Sequence, residues 1–271
     1  MSSSHTVGPS EGSPHTHTII FLHGRDSEAQ EFASELFESE ASGPDTDRTL
    51  PAIFPTIRWV FPQARALRSE RFDTNMSQWF DMWSLEDVQE RSELQVPGLQ
   101  SSVDHVLETV KKEEQLVPRD RIFLAGISQG FATALATLFA DGRGGFAGLC
   151  GFCSWFPLAY ECASIIRRHS DPLERLDSLR GLYVADTKNK PGPPASVQQL
   201  STPVLLQHNR DDDIISVENG ARMRDILGHL GFEEHKWCEY DDGGHWFNEP
   251  QGIDALVVFL RRCMAGKNAG I

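Results

Sequence analysis

The run His17-Thr-Ile-Ile-Phe-Leu22 is short, apolar and rich in β-formers, and it stops abruptly at His23-Gly24, the pattern of a buried strand entering a loop. Ala29 to Ser39 then sets Phe32, Leu36 and Phe37 at helical spacing, and Ile57-Arg-Trp-Val-Phe61 resumes strand character until Pro62 ends it. Leu99, Val103, Val106, Leu107 and Val110 mark an amphipathic helix that finishes before Pro118. Arg121-Ile-Phe-Leu-Ala125 is the next strand, followed by a Gly-containing turn, a helix over Ala132 to Ala140 and an apolar run from Phe146 to Ser154. Pro203-Val-Leu-Leu-Gln207 and Lys236-Trp-Cys-Glu-Tyr240 supply later strands. One helix carries Ala221, Ile226, Leu227 and Leu230, and another carries Ile253, Leu256, Val257 and Leu260. Strands alternating with helices require crossover connections, which build a mostly parallel sheet sandwiched by helices in a single α/β domain.

The pattern divides the chain into a flexible N-terminal segment, 1–16, a domain over 17–265, and a tail, 266–271. Inside the domain, 159–201 reads as an excursion or lid over the pocket mouth, with a mobile surface loop at 186–195. Its apolar Ile165, Ile166, Leu173, Leu176 and Leu179 are expected either to shape access or to mediate a homodimer.

Composition narrows the function classes. Of 271 residues, 39% are hydrophobic and 24% charged, the balance of a globular protein. The net charge of -14 repels phosphate backbones and anionic lipid surfaces, so nucleic acid is not expected as a partner. The N-terminus lacks the basic and apolar regions of a signal peptide. The longest uncharged stretch, Gly144 to Tyr160, is interrupted by glycines and Pro157 and falls short of the roughly 20 residues of a membrane helix, so no span is expected. Five cysteines without a secretion signal read as free thiols in a cytoplasmic protein. Cys150-Gly-Phe-Cys153 has redox-motif spacing but lies within an apolar run and opens no helix, which favours core packing over metal or redox work. No phosphate-cradling loop and no metal-binding His-Glu helix is present in the sequence, and neither a cofactor nor a metal is expected.

Gly126-Ile-Ser128-Gln-Gly130, between a strand and a helix, is the context of a nucleophile elbow. A serine on so sharp a turn is crowded by its neighbours, and glycines at the flanking positions relieve the clash; the alternative is a Gly-rich helix entry without chemistry. The turn aims the Gln129 N–H at an oxyanion forming on an acyl group attached to Ser128. A serine hydroxyl is a poor nucleophile until a base accepts its proton, so a histidine and an acid are required downstream, each on a loop after a strand at the same sheet edge. His245 follows Asp241-Asp-Gly-Gly, just ahead of a helix. Asp211, Asp212 and Asp213 follow the strand ending at Gln207, and periodicity does not choose among them. His208 reads as a structural hydrogen-bonder, His23 as scaffold, and the Arg25 N–H as the second oxyanion donor.

With these residues in place the chain resembles the acyl-protein thioesterase, or phospholipase/carboxylesterase, group of α/β-hydrolases, over roughly Thr18 to Leu260. Phe21-Leu-His-Gly24 is similar to that group's oxyanion loop, Trp79-Phe-Asp81 to its Trp-Phe-Asp element, Gly126 to Gly130 to its nucleophile motif, Ser154-Trp-Phe-Pro157 to its Trp-Leu-Pro segment, and Gly243-Gly-His245 to its histidine loop. The resemblance implies an α/β-hydrolase fold and a serine hydrolase acting on an ester or thioester substrate, and it puts the acid at Asp212. Trp79, Trp155, Phe156 and Trp246 are candidates to line an apolar pocket. The departures are Asp26 in place of a glycine, Phe131 in place of a small residue, where it is expected to narrow the pocket, and Asn209 and Asp213 in place of Gly and Pro. Two alternatives stand beside this expectation: an esterase acting on a small biosynthetic metabolite, and a silent relative that keeps the fold to bind a ligand.

Overall fold

A computed structural model describes residues 4–44, 46–185 and 194–266. The strands are β1 (His5–Val7), β2 (His17–Leu22), β3 (Ile57–Phe61), β4 (Ala66–Ser69), β5 (Thr74–Ser77), β6 (Ile122–Ile127), β7 (Gly148–Phe152), β8 (Val204–Asn209) and β9 (His235–Tyr240). The helices are α1 (Ala29–Glu38), α2 (Leu50–Ile53), α3 (Gln95–Glu113), α4 (Gln129–Asp141), α5 (Ala159–Arg168), α6 (Pro172–Tyr183), α7 (Val217–Leu230) and α8 (Gln251–Met264). Seven strands form one sheet in the order β1-β3-β2-β6-β7-β8-β9, while β4 and β5 form a separate hairpin. Every pairing in the large sheet is parallel except that of β1 with β3.

A parallel sheet is covered on both faces, and the alternation along β2 shows which residues serve which. Ile19 and Phe21 join the core under α1 and α8, with Phe32, Leu36, Ile253 and Leu260. Ile20 and Leu22 join the core under α3 to α7, with Val106, Leu135, Leu179 and Leu227. Every residue of α4 is buried, because the helix lies on the sheet with α3 and α6 packed against it. Among the described residues no helix is long and apolar enough to cross a membrane.

Two expectations change. The N-terminal segment is not a free tail: His5, Thr6 and Val7 pair with Phe61, Val60 and Trp59 and complete the sheet edge, and Ser10 and Thr16 donate backbone hydrogen bonds to Pro55 and Thr56. A bare β3 edge offers unpaired backbone groups, which three polar-flanked residues are enough to satisfy. Within the supposed lid, Ile165, Leu176 and Leu179 are no more than 2% exposed, and the Tyr183 hydroxyl donates to the Pro157 carbonyl. Helices α5 and α6 therefore belong to the helical layer, leaving Leu173 exposed on it. Most of the loop expected at 186–195 and of the tail at 266–271 lies outside the described residues.

Candidate active site

Leu22, Ile127, Phe152, Asn209 and Tyr240 end β2, β6, β7, β8 and β9 at one edge of the sheet, and the candidate residues follow them. At Ser128 the backbone takes φ 54°, ψ -127° as the chain turns from β6 into α4. A side chain in so sparsely populated a region costs of order 1–3 kcal/mol, and the surroundings must enforce it. A Cβ on Gly126 would lie 2.5 Å from the Phe131 nitrogen, and one on Gly130 would lie 2.3 Å from the Leu22 carbonyl oxygen and 2.4 Å from that of His23. Helix α4 is thus driven against the ends of β2 and β6 with no room for a methyl group. The Ser128 N–H donates to the Phe152 carbonyl at 2.8 Å, and Ser154 Oγ donates to the Ser128 carbonyl at 2.7 Å. The Gln129 side chain accepts from the Trp79 N–H and donates to the Phe80 carbonyl, both at 2.8 Å.

The loop after β2 lies alongside, since a Cβ on Gly24 would sit 3.8 Å from Ser128 Cβ. His23 is fully buried. Its Nε2 accepts from the Ala64 N–H at 3.1 Å, so Nδ1 carries the proton and donates to the Gly24 carbonyl at 2.7 Å. Burial, opposed only in part by that carbonyl, pushes His23 down to about 4, which keeps it neutral scaffold. The Trp79 indole N–H holds the His23 carbonyl at 2.8 Å. Asp26 adopts the left-handed conformation, φ 59°, that a glycine reaches more easily, and its N–H donates to the Ser77 carbonyl at 2.7 Å. Aspartate is among the residues that tolerate this region, so the loop keeps its turn. Among the described residues the N–H groups of Arg25 and Gln129 find no acceptor.

On the far side, His245 Nδ1 donates to Asp212 Oδ2 at 2.8 Å. Asp212 is buried, its Oδ1 accepting from the Ile214 and Ile215 amides at 3.0 and 2.9 Å. His208 Nε2 lies 2.7 Å from the Ile215 carbonyl and 3.2 Å from Asp212 Oδ2. Burial alone would raise the Asp212 carboxyl, but hydrogen bonds from His208 and His245, with the Ile215 amide, outweigh it and hold the group well below the usual carboxylate range. The acidic run divides its labour: Asp211 Oδ1 accepts from the Gly244 N–H at 2.8 Å, Asp212 meets His245, and Asp213 is exposed. The Ser128 and His245 sides are tied through the end of β7. Ser154 bonds Ser128, and the neighbouring Cys153 thiol points to the Trp246 and Gly244 carbonyls at 3.4 and 3.9 Å. Among the described residues Ser128 Oγ makes no hydrogen bond.

The aromatic candidates do not form one wall. Trp79, Trp155 and Phe156 are buried, with Trp79 committed to backbone bracing and Trp155 edge-on to Phe80 at 6.3 Å between ring centres. Trp246 is half-buried against Phe32 and Phe247. Phe131 does not narrow a pocket: it is fully buried against β7, where a Cβ on Gly151 would stand 2.4 Å from its ring. Cys150 and Cys153 are buried free thiols. A cleft of about 660 Å³ lies at the opposite edge of the sheet, where Asp120, Ala147, Pro203 and Glu234 precede the strands, away from this chemistry.

Residues 5–171, more than half of the chain, match the family model of the phospholipase/carboxylesterases. The chain belongs to that family. This phospholipase/carboxylesterase relative is 26% identical over 223 residues to acyl-protein thioesterase 1 of Cryptococcus neoformans, covering 82% of this chain and 76% of that one. It is 27% identical over 236 residues to acyl-protein thioesterase 1 of Yarrowia lipolytica, covering 85% of each. Among solved structures, Zea mays acyl-protein thioesterase 2 superposes with a TM-score of 0.71 at 25% identity, over 97% of this chain and 100% of that one. The sheet flanked by helices is accordingly an α/β-hydrolase fold.

Proposed function

We propose that the chain is a serine hydrolase that cleaves carboxylic thioesters and esters through an acyl-enzyme, with S-acylated protein cysteine as its substrate class. Ser128 attacks the acyl carbonyl while His245 takes its proton through Nε2, and Asp212 orients the imidazole and stabilises its charge. The tetrahedral oxyanion forms beside the free N–H groups of Arg25 and Gln129. Collapse expels the thiolate or alkoxide, which takes the proton back from His245, and water then repeats the attack to release the carboxylic acid.

The observation that carries this reading is the Ser128 backbone. The close packing at Gly126 and Gly130 holds Ser128 in a strained conformation at the start of α4, and strain of this kind concentrates at functional sites. The substrate class rests on the names of the relatives. Asp26 and Phe131 lend no support to a silent relative, because the first still makes its turn and the second packs on Gly151. Five free thiols fit a reducing, cytoplasmic setting.

A panel of S-acyl peptides, short aryl esters and acyl-carrier thioesters tests the proposal. S-acyl peptides are expected to show the highest kcat/KM, with all turnover lost in Ser128→Ala. Retained turnover in that variant would falsify the nucleophile assignment, and a preference for acyl-carrier thioesters would move the substrate to a small metabolite.

A further inference from the structure

His245 stands on a backbone poorly able to hold itself. Gly243 and Gly244, immediately before it, take φ 126° and 60°, and a Cβ on Gly244 would meet nothing within 4 Å. Two such glycines give the loop more freedom than any other pair of residues would. What holds it comes from the end of β8. Asn209 is 1% exposed, and its Nδ2 donates to the Gly244 carbonyl at 2.8 Å and to the Trp246 carbonyl at 2.7 Å, one on each side of His245. Gly243 folds over the same side chain so closely that a Cβ there would fall 2.6 Å from Nδ2. Both partners are acceptors, so the amide orientation follows from the contacts.

We infer that Asn209 is the positioning residue for His245, its two N–H bonds clamping the carbonyls that flank the histidine and so fixing where the imidazole points. The inference rests on the reading of Ser128 as nucleophile and His245 as its base. Asn209 touches no reacting atom. It acts by restricting the loop to the one arrangement in which Nδ1 meets Asp212, and without it Asp211 and the Cys153 thiol keep only weaker or single holds on the same segment. An imidazole misplaced by about 1 Å loses roughly 100-fold in rate, and substrate binding elsewhere is untouched.

The test compares Asn209→Ala and Asn209→Gly with the unaltered chain, and with Gln199→Ala. Gln199 is a buried amide that bonds the Gly142 and Ser196 carbonyls, where α4 runs out and outside the site. Steady-state kinetics on one thioester, the rate of fluorophosphonate labelling and thermal melts are measured for each. Both Asn209 variants are expected to lose about 10- to 100-fold in kcat and in labelling rate, with KM within twofold, while Gln199→Ala keeps kcat even with a comparable loss in melting temperature. Unchanged kcat, a loss carried by KM, or an equal kcat loss in Gln199→Ala overturns the inference. Failure of both Asn209 variants to fold while Gln199→Ala folds also overturns it, since Asn209 then holds the domain and not the histidine. Turnover retained in Ser128→Ala sinks the underlying reading instead, so the two failures are separable.

Discussion

Around Ser128 the backbone is forced into place by packing: Gly126 and Gly130 sit where no Cβ fits, and α4 is buried along its whole length. Around His245 the backbone bends at two glycines, and side chains from the β8 end, Asn209, Asp211 and Asp212, hold it by hydrogen bonds. The first arrangement is set by shape and leaves a compact motif in the sequence. The second is set by polar contacts between segments some 33 to 37 residues apart, and its parts look like ordinary loop text.

Chemistry should separate the two sides most sharply. In Ser128→Ala, kcat is expected to fall by about 10⁴ or more with the melt nearly unchanged, whereas Asp212→Asn should cost about 10³ to 10⁴ by removing the acceptor that fixes the His245 tautomer. Asp213→Asn, one position along, should leave kcat within twofold. Equal losses in the two aspartate variants, read by steady-state kinetics, would undo the assignment of the acid.

Stability should separate them next. Gly130→Ala drives a methyl group into the Leu22 and His23 carbonyls and is expected to cost about 3 kcal/mol or more, measured by denaturant unfolding. Gly244→Ala meets open space and has only its positive φ to oppose it, so about 1 kcal/mol is expected. A Gly130→Ala protein as stable as the parent would show that the turn at Ser128 is not enforced by packing.

The remaining contrast is in pH dependence. The folded chain holds His23, and likewise His17, down at about 4, mainly by burial, so the unfolded chain binds more protons between there and pH 6.5. Stability therefore rises with pH through that window, and the melting temperature should fall as pH drops from about 6.5 to 4. Asp212 acts in the same direction at lower pH: its depressed pKa stabilises the fold above the ordinary carboxylate range, and that contribution is lost on further acidification. His23→Gln should flatten the upper part of the curve in melts at constant ionic strength; an unaltered slope would mean that His23 is not kept neutral.

The same contrast explains what could be read from the sequence. The strands β2 and β3 coincide with the apolar runs at His17–Leu22 and Ile57–Phe61, and the serine turn follows from three fixed residues with strand and helix on either side. Hairpin β4–β5 escaped notice because its strands are half-exposed and mixed in polarity, and β1 because three residues carry no periodicity. The apolar stripes of α5 and α6 were visible, but a stripe does not say what covers it, so core helices read as a lid. Three adjacent aspartates are indistinguishable by pattern; only the folded loop turns one to His245, one to the Gly244 amide and one to solvent. Asn209 looked like a flaw in the match with the resembling group, and nothing in a linear text connects it with carbonyls 35 and 37 residues downstream.

Exposure of the unaltered chain to a fluorophosphonate, followed by intact-mass analysis and peptide mapping, bears most directly on a strained serine made reactive by a distant histidine. One adduct per chain on Ser128 is expected, forming far more slowly in His245→Ala. A chain that stays unlabelled, or that is labelled elsewhere with Ser128 untouched, would contradict it.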